Sequence, residues 1–184
     1  MNVLKTEIEG VYIIEPRVFG DERGYFFESF NAENFLTQTG IDATFVQDNE
    51  SCSRKGVLRG LHFQKEPYAQ AKLVRVVCGR VLDVAVDIRR GSATFGKYVA
   101  VELSGENRRQ MFIPKGFAHG YITLEDDTIF QYKCDEFYHP EAEGGIAWND
   151  TQIGIDWGVP EEEIILSRKD TQNPRLADVL ALFE

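Results

Sequence analysis

His62, His119 and His139 are the only histidines in the chain, and an imidazole is the side chain best suited to take or give a proton near neutral pH. His62 sits in Gly56-Val57-Leu58-Arg59-Gly60-Leu61-His62-Phe63. On a strand, residues two apart share a face, so Leu58, Gly60 and His62 are expected to point one way and Arg59, Leu61 and Phe63 the other. An imidazole beside a glycine has open space in front of it, as a ligand cavity requires. The spacing leaves two readings open: a core histidine held by a hydrogen bond, or an acid–base group. His119 stands in Ile113-Pro114-Lys115-Gly116-Phe117-Ala118-His119-Gly120, where Pro-x-Gly-x-x-His makes a tight turn that delivers the ring to the start of a strand. His139, just before Pro140, has no such context and reads as a surface residue.

These histidines do not have the spacing of a metal centre. A metal site in a β-barrel draws on two histidines one residue apart, a carboxylate further on and a third histidine. Here position 64 is Gln64, and no glutamate follows at strand spacing. Cys52, Cys78 and Cys134 are an odd number without a CxxC pair, and read as small half-buried hydrophobes. No metal site is expected from this spacing, and His62 reads as a candidate acid–base group. Tyr132 shares a strand face with Phe130 and Cys134, as a core tyrosine or as a group facing a cavity. Lys72 opens an otherwise apolar strand, where it is either an edge lysine reaching water or a cation aimed inwards.

The elements that must position these groups are short strands. Residues 57–63, 72–78, 81–88, 98–103, 110–113 and 128–134 are rich in β-branched and apolar residues, with Gly79-Arg80 as a turn and Gly, Pro, Asn or Ser in nearly every gap. Closely spaced strands without intervening helices indicate an antiparallel sandwich or barrel. Helix is expected only at the flanks. One runs over residues 31–39, with Asn31 as N-cap and Gly40 as its stop. Another closes the chain over 174–183, with Pro174 in its first turn and Leu176, Val179, Leu180 and Phe183 on one face. No repeat or linker interrupts the sequence, so residues 1–184 are read as one mainly β domain.

At 184 residues, 43% apolar and 27% charged, the chain has the balance of a globular protein with a substantial core. No stretch approaches the roughly 20 apolar residues of a membrane helix, and Met1-Asn2-Val3-Leu4-Lys5 lacks a signal-peptide layout, so the cytoplasm is the expected location. A net charge of −10 argues against nucleic acid or an anionic membrane as partner. Its distribution is uneven: residues 54–90 hold nine Lys/Arg and three acidic residues, whereas 135–163 hold nine acidic residues and no Lys or Arg. The central cations are placed to build a local anion site, with Lys65, Arg89 and Arg90 read as solvated strand faces.

Taken together, the phrases resemble a known family. Pro-x-Gly-x-x-His in a short-stranded β protein resembles the second motif of the cupins, which are jelly-roll β-barrels. Phe19-Gly20-Asp21-Glu22-Arg23-Gly24-Tyr25-Phe26-Phe27-Glu28, Phe45-Val46-Gln47-Asp48-Asn49, the phrase around His62 and the phrase around His119 resemble, in order, the dTDP-4-dehydrorhamnose 3,5-epimerases. The resemblance runs from about residue 4 to the C-terminus.

It implies a cupin-type jelly roll with short flanking helices, acting without a cofactor on a dTDP-linked 4-keto-6-deoxy sugar. By this resemblance His62 is the base, Asp170 orients it, Tyr132 returns a proton from the opposite face, and Lys72 stands near the C4 oxygen. Arg23 and Arg59 are implied to meet the diphosphate. Gln47, Asn49, Glu28, His119, Glu143 and Lys169 are implied to make polar contacts to sugar and base, with Phe26 and Tyr138 near the thymine. A homodimer is implied as well, with Arg23, Phe26 and Glu28 reaching the neighbour's site. The rival readings are an epimerase of one carbon only, a sugar-nucleotide ketoisomerase, a metal-dependent cupin oxygenase and a binding module without catalysis.

Overall fold

The computed structural model describes residues 1–179 and 183. Two antiparallel sheets carry nearly all the strands. The first holds, in spatial order, β1 (Asn2–Lys5), β2 (Tyr12–Glu15), β10 (Gln110–Ile113), β7 (Lys72–Cys78), β12 (Thr128–Cys134) and β5 (Gln47–Ser53). The second holds β13 (Glu143–Gly145), β6 (Leu58–Gln64), β11 (Phe117–Thr123), β8 (Arg80–Asp87) and β9 (Tyr98–Ser104). A separate hairpin, β3 (Phe19–Asp21) with β4 (Gly24–Phe26), projects its aromatic rings into solvent. The jelly roll is thus built as two facing sheets, without one hydrogen-bonded ladder running round a closed barrel.

Strand alternation makes three apolar layers from two sheets. Between the sheets lie Val74, Val76, Met111 and Phe130 from one side and Val81, Ala85, Phe117 and Tyr121 from the other. The reverse face of the six-stranded sheet, with Ile14, Leu73 and Phe112, is covered by Phe35 of helix α1 (Ala32–Thr39). That helix starts and stops as its sequence predicts. The Asn31 side chain accepts from the Asn34 N–H at 3.0 Å, and Gly40 closes the end in the left-handed region.

The reverse face of the five-stranded sheet is covered by the C-terminal segment, through Ile146, Ile153, Trp157, Leu176 and Val179. Here the described residues of the expected closing helix over 174–183 do not form an α-helix. A single 3-10 turn, Leu176–Asp178, is followed by Val179 in extended conformation, and Phe183 forms a parallel bridge with Arg89; Leu180 lies outside the described residues. Leu176 and Val179 do bury their side chains, but by lying on the sheet. A ten-residue helix is marginal on its own, and sheet packing plus the bond from the Leu176 N–H to buried Asp150 (2.7 Å) outweighs it.

Other surface expectations change for similar reasons. His139 is half-buried, its ring stacked on Tyr68 at 3.7 Å. Cys134 is buried, while Cys52 and Cys78 are exposed rather than half-buried. Arg90 donates to the Val179 carbonyl at 3.1 Å. Arg89 serves Asp87, a fully buried carboxylate that accepts from the Arg89 Nε and Nη2, Ser92 Oγ and Thr94 Oγ1 at 2.6–2.9 Å. Burial alone pushes the Asp87 carboxyl up, but these bonds override it and hold the group at about 2. A carboxyl depressed in the folded state stabilises above its unfolded value and loses that contribution as pH falls through the folded one. Asp87→Asn is therefore expected to lower unfolding stability at pH 7 by about 1.5–3 kcal/mol. In urea titrations the gap to wild type should be full above roughly pH 4 and close as the pH approaches 2.

Candidate active site

The site begins with an irregularity in β6. Opposite β11, His62 faces His119 and Arg59 faces Tyr121, so Gly60 and Leu61 together oppose Gly120. This is a β-bulge, and its extra residue breaks simple alternation. Arg59 and His62, expected on opposite faces, both line the interior cavity, whereas Leu58, Leu61 and Phe63 pack under the C-terminal segment. Gly60 is required here: its φ is +123°, and a Cβ would lie 2.6 Å from both the Gly120 Cα and the His119 carbonyl oxygen.

The cavity, about 530 Å³, opens between the two sheets. On the β6 wall, His62 Nε2 lies 2.5 Å from Asp170 Oδ1. Asp170 is buried at the start of a 3-10 turn, Asp170–Gln172, and its Oδ2 accepts from Ser167 Oγ at 2.8 Å. Burial pushes the Asp170 carboxyl up, but His62, Ser167 and Lys169 more than offset this, leaving it below the usual carboxylate range. Because the carboxylate only accepts, Nε2 of His62 carries a proton and Nδ1 is the nitrogen left to act as base.

The other wall supplies Tyr132 from β12 and Lys72 from β7, with the Lys72 Nζ 5.7 Å from the centre of the Tyr132 ring. Burial, chiefly, pushes the Tyr132 phenol up to about 12, so it holds its proton throughout the neutral range. Burial likewise pushes the Lys72 ammonium down, against the opposing pull of Asp83 and Glu143. His119 lines the same cavity from β11, with Nε2 2.7 Å from Asp83 Oδ1.

A chain of polar contacts forms the mouth. Gln47 donates to Asn49 Oδ1 at 3.0 Å and accepts from the Tyr138 N–H at 3.0 Å. The Tyr138 hydroxyl donates to Glu143 at 2.7 Å, and Lys169 forms an ion pair with the same Glu143 oxygen. Arg59 extends its guanidinium here, with only a 3.3 Å contact to Ser53 Oγ. Eight of the fourteen residues singled out from the sequence line the cavity itself: His62, Asp170, Tyr132, Lys72, Arg59, Asn49, His119 and Lys169. Gln47, Tyr138 and Glu143 stand at its rim.

Arg23, Phe26 and Glu28 are not brought there. Arg23 is on the exposed hairpin, paired with Asp21, and Phe26 is 67% exposed beside it. Glu28 accepts from Asn31 at 3.2 Å near α1. Two participants escaped the sequence reading, although each had a signal. Asp83 is an acid in the middle of an apolar strand, two residues from the inward-facing Val81 and Ala85. Ser167, three residues before Asp170, has the spacing of a capping pair, and its Oγ accepts from the Asp170 N–H at 3.1 Å.

With an imidazole held by a carboxylate on one wall and a protonated phenol on the other, the cleft has groups able to move protons on two sides of a bound molecule. Fold and site together suit an isomerase built on a cupin-type jelly roll. Comparison with known proteins narrows this. The sequence model of dTDP-4-dehydrorhamnose 3,5-epimerase matches residues 5–178, and the chain belongs to that family. The dTDP-4-dehydrorhamnose 3,5-epimerase of Shigella flexneri is 57% identical over 178 residues, 97% of each chain. The crystal structure of the Elizabethkingia anophelis NUHP1 enzyme of the same name is 53% identical, with a TM-score of 0.93 over 97% of each chain. That of the Legionella pneumophila dTDP-6-deoxy-D-glucose-3,5-epimerase, in complex with dTDP-4-keto-L-rhamnose, is 50% identical, with a TM-score of 0.95 over 100% of this chain and 98% of that one.

The bulge carries its own prediction. Gly60→Ala combines a positive φ with backbone overlap, and is expected to destabilise the protein by about 3 kcal/mol or more. Thermal unfolding measures this; a midpoint equal to wild type would show that the β6–β11 approach tolerates a methyl group.

Proposed function

We propose that this chain inverts C3 and C5 of dTDP-4-dehydro-6-deoxy-D-glucose to give dTDP-4-dehydro-L-rhamnose, with His62 as base and Tyr132 as acid. The observation that carries the reading is the His62–Asp170 pair facing Tyr132 and Lys72 across one cavity, in a chain of this family. C3 and C5 both flank the C4 ketone, so one carbonyl acidifies both protons. His62 Nδ1 takes the proton, the C–H electron pair becomes the enolate double bond, and charge moves to the C4 oxygen beside Lys72. A fixed cation there stabilises the enolate by several kcal/mol, on the order of the ~3–4 of a single oxyanion donor. Tyr132 then protonates the carbon from the other face. Hydrogen leaves and returns as a proton, so the balance calls for no redox partner.

Arg59 and Arg23 serve the diphosphate, for which a planar guanidinium is suited. Gln47, Asn49, Glu28, His119, Glu143 and Lys169 hold sugar and base, and Tyr138 and Phe26 meet the thymine. Arg23, Phe26 and Glu28 do so from a second copy of the chain. The exposure of Phe19, Tyr25 and Phe26, at 50%, 58% and 67%, supports this homodimer, because a hairpin of bare aromatic rings is stabilised by burial against a partner. The same reading places the enzyme in the cytoplasm, since a substrate bearing a charged diphosphate does not cross a membrane unaided. Among the described residues no helix is long and apolar enough to span one.

The first test is deuterium uptake from heavy water into the substrate, in the presence of a chelator. Uptake at both C3 and C5 is expected, lost in a folded His62→Ala protein; uptake at one carbon would reassign the chain to single epimerisation, and none would refute the substrate or the base. For the shared site, His62→Ala and Arg23→Ala proteins, each impaired alone, are expected to regain activity when mixed and allowed to exchange subunits. A mixture no better than its parts would sink the trans contribution.

A further inference from the structure

His119 is the second imidazole of the cavity, and its setting differs from that of His62. It lies on β11 directly across from His62, is only 7% exposed, and its Nε2 is 2.7 Å from Asp83 Oδ1. Asp83 is fully buried on β8, and its second oxygen, Oδ2, has no hydrogen-bond partner among the described residues. The carboxylate therefore directs its side-chain hydrogen bonding at His119. A carboxylate can only accept, so Nε2 of His119 carries the proton and Nδ1 is left as a lone pair. The other groups facing this ring are His62 from β6, Lys72 from β7, Tyr121 from β11 and Phe130 and Tyr132 from β12. Burial pushes the imidazole down; Asp83 opposes this, while Lys72 and His62 add to it, so the ring is neutral at pH 7.

We propose that Asp83 is a positioning residue that fixes the Nε2–H tautomer of His119, so that Nδ1 accepts a hydrogen bond from a hydroxyl of the bound sugar. The inference rests on the function proposed above. A neutral imidazole has one donor and one acceptor, and the nitrogen with a fixed partner decides which is which. On a ring as buried as His119, an acceptor distinguishes a hydroxyl, which can donate, from a ketone oxygen, which cannot. The proposed substrate carries both kinds of oxygen side by side. Lys72, a donor only, suits the ketone, and His119 Nδ1 suits the neighbouring hydroxyl. The two side chains together set which way round the sugar ring lies, keeping the C4 oxygen at the cation.

The test compares wild type with Asp83→Asn and Asp83→Glu as full-length proteins. In protein labelled with 15N-histidine, NMR is expected to show resting His119 protonated at Nε2. In Asp83→Asn the amide can donate to Nε2, which moves the proton to Nδ1 and turns the acceptor into a donor. The kcat/KM for the sugar nucleotide should then fall about 100-fold, the size for a mispaired buried group, while affinity for dTDP, which lacks the sugar, is unchanged. Asp83→Glu should restore part of the loss. A wild-type ring protonated at Nδ1 would overturn the proposal, as would a folded Asp83→Asn protein with wild-type kcat/KM or with dTDP affinity lost in parallel. The tautomer is read without turnover, so a wild type inactive on this substrate would refute the functional reading and leave the NMR result to decide the tautomer.

Discussion

The hydrogen bond between His62 and Asp170 joins residues 108 positions apart, and it dictates how the last third of the chain must run. Loop closure over that distance has an entropic cost, and no local propensity offsets it. The offset comes from the sheet. Ile165 pairs with the start of β6 through two backbone bonds, to the Leu58 N–H and the Gly56 carbonyl, at 3.0 and 2.8 Å. Beyond it, Ile146, Ile153, Trp157 and Leu176 bury their side chains on the reverse face of the same sheet. Each fully buried side chain of this size contributes about 1.5–3 kcal/mol, so the layer stabilises the fold and delivers the carboxylate at once. Asp170 is then buried, with both oxygens occupied before any ligand arrives.

The charges follow the same economy. The protein as a whole is strongly acidic, yet the cavity gathers Lys72, Arg59, Lys169 and two imidazoles on its walls. Desolvation disfavours an isolated buried cation, and here it is countered from more than one side: Asp83 and Glu143 act on Lys72, and Asp83 also holds His119. The cations at the mouth remain half in water, where an anion can reach them.

Much of this was legible in the sequence, and the exceptions have physical reasons. The strands over 72–78, 110–113 and 128–134 appear with the boundaries read from their β-branched runs. Helix α1 lies between the two cap residues that announced it. These features are local, so local patterns encode them. The bulge at Gly60-Leu61 is not local: it exists because β11 presses its Gly120 against β6, and nothing within residues 56–63 announces that approach. The closing helix was misread because its apolar spacing also suits a segment lying on a sheet. The pairing of His62 with Asp170 came from family resemblance, and the geometry agrees with it. Asp83 was visible as an acid in an apolar strand, but alternation alone names no partner for it.

Tyr138 shows one more consequence of the mouth network. Its ring is half exposed, but its hydroxyl is tethered to Glu143 and its backbone N–H to Gln47. Two points of attachment fix the ring plane while leaving a face open. A free surface aromatic gives up rotamer entropy when something stacks on it, about 0.5–1.5 kcal/mol for an immobilised side chain. Here the protein has already lost that freedom on folding. A flat heterocycle arriving at the mouth would meet a surface that is stiff in advance, and the selectivity of that encounter would come from shape rather than from adjustment.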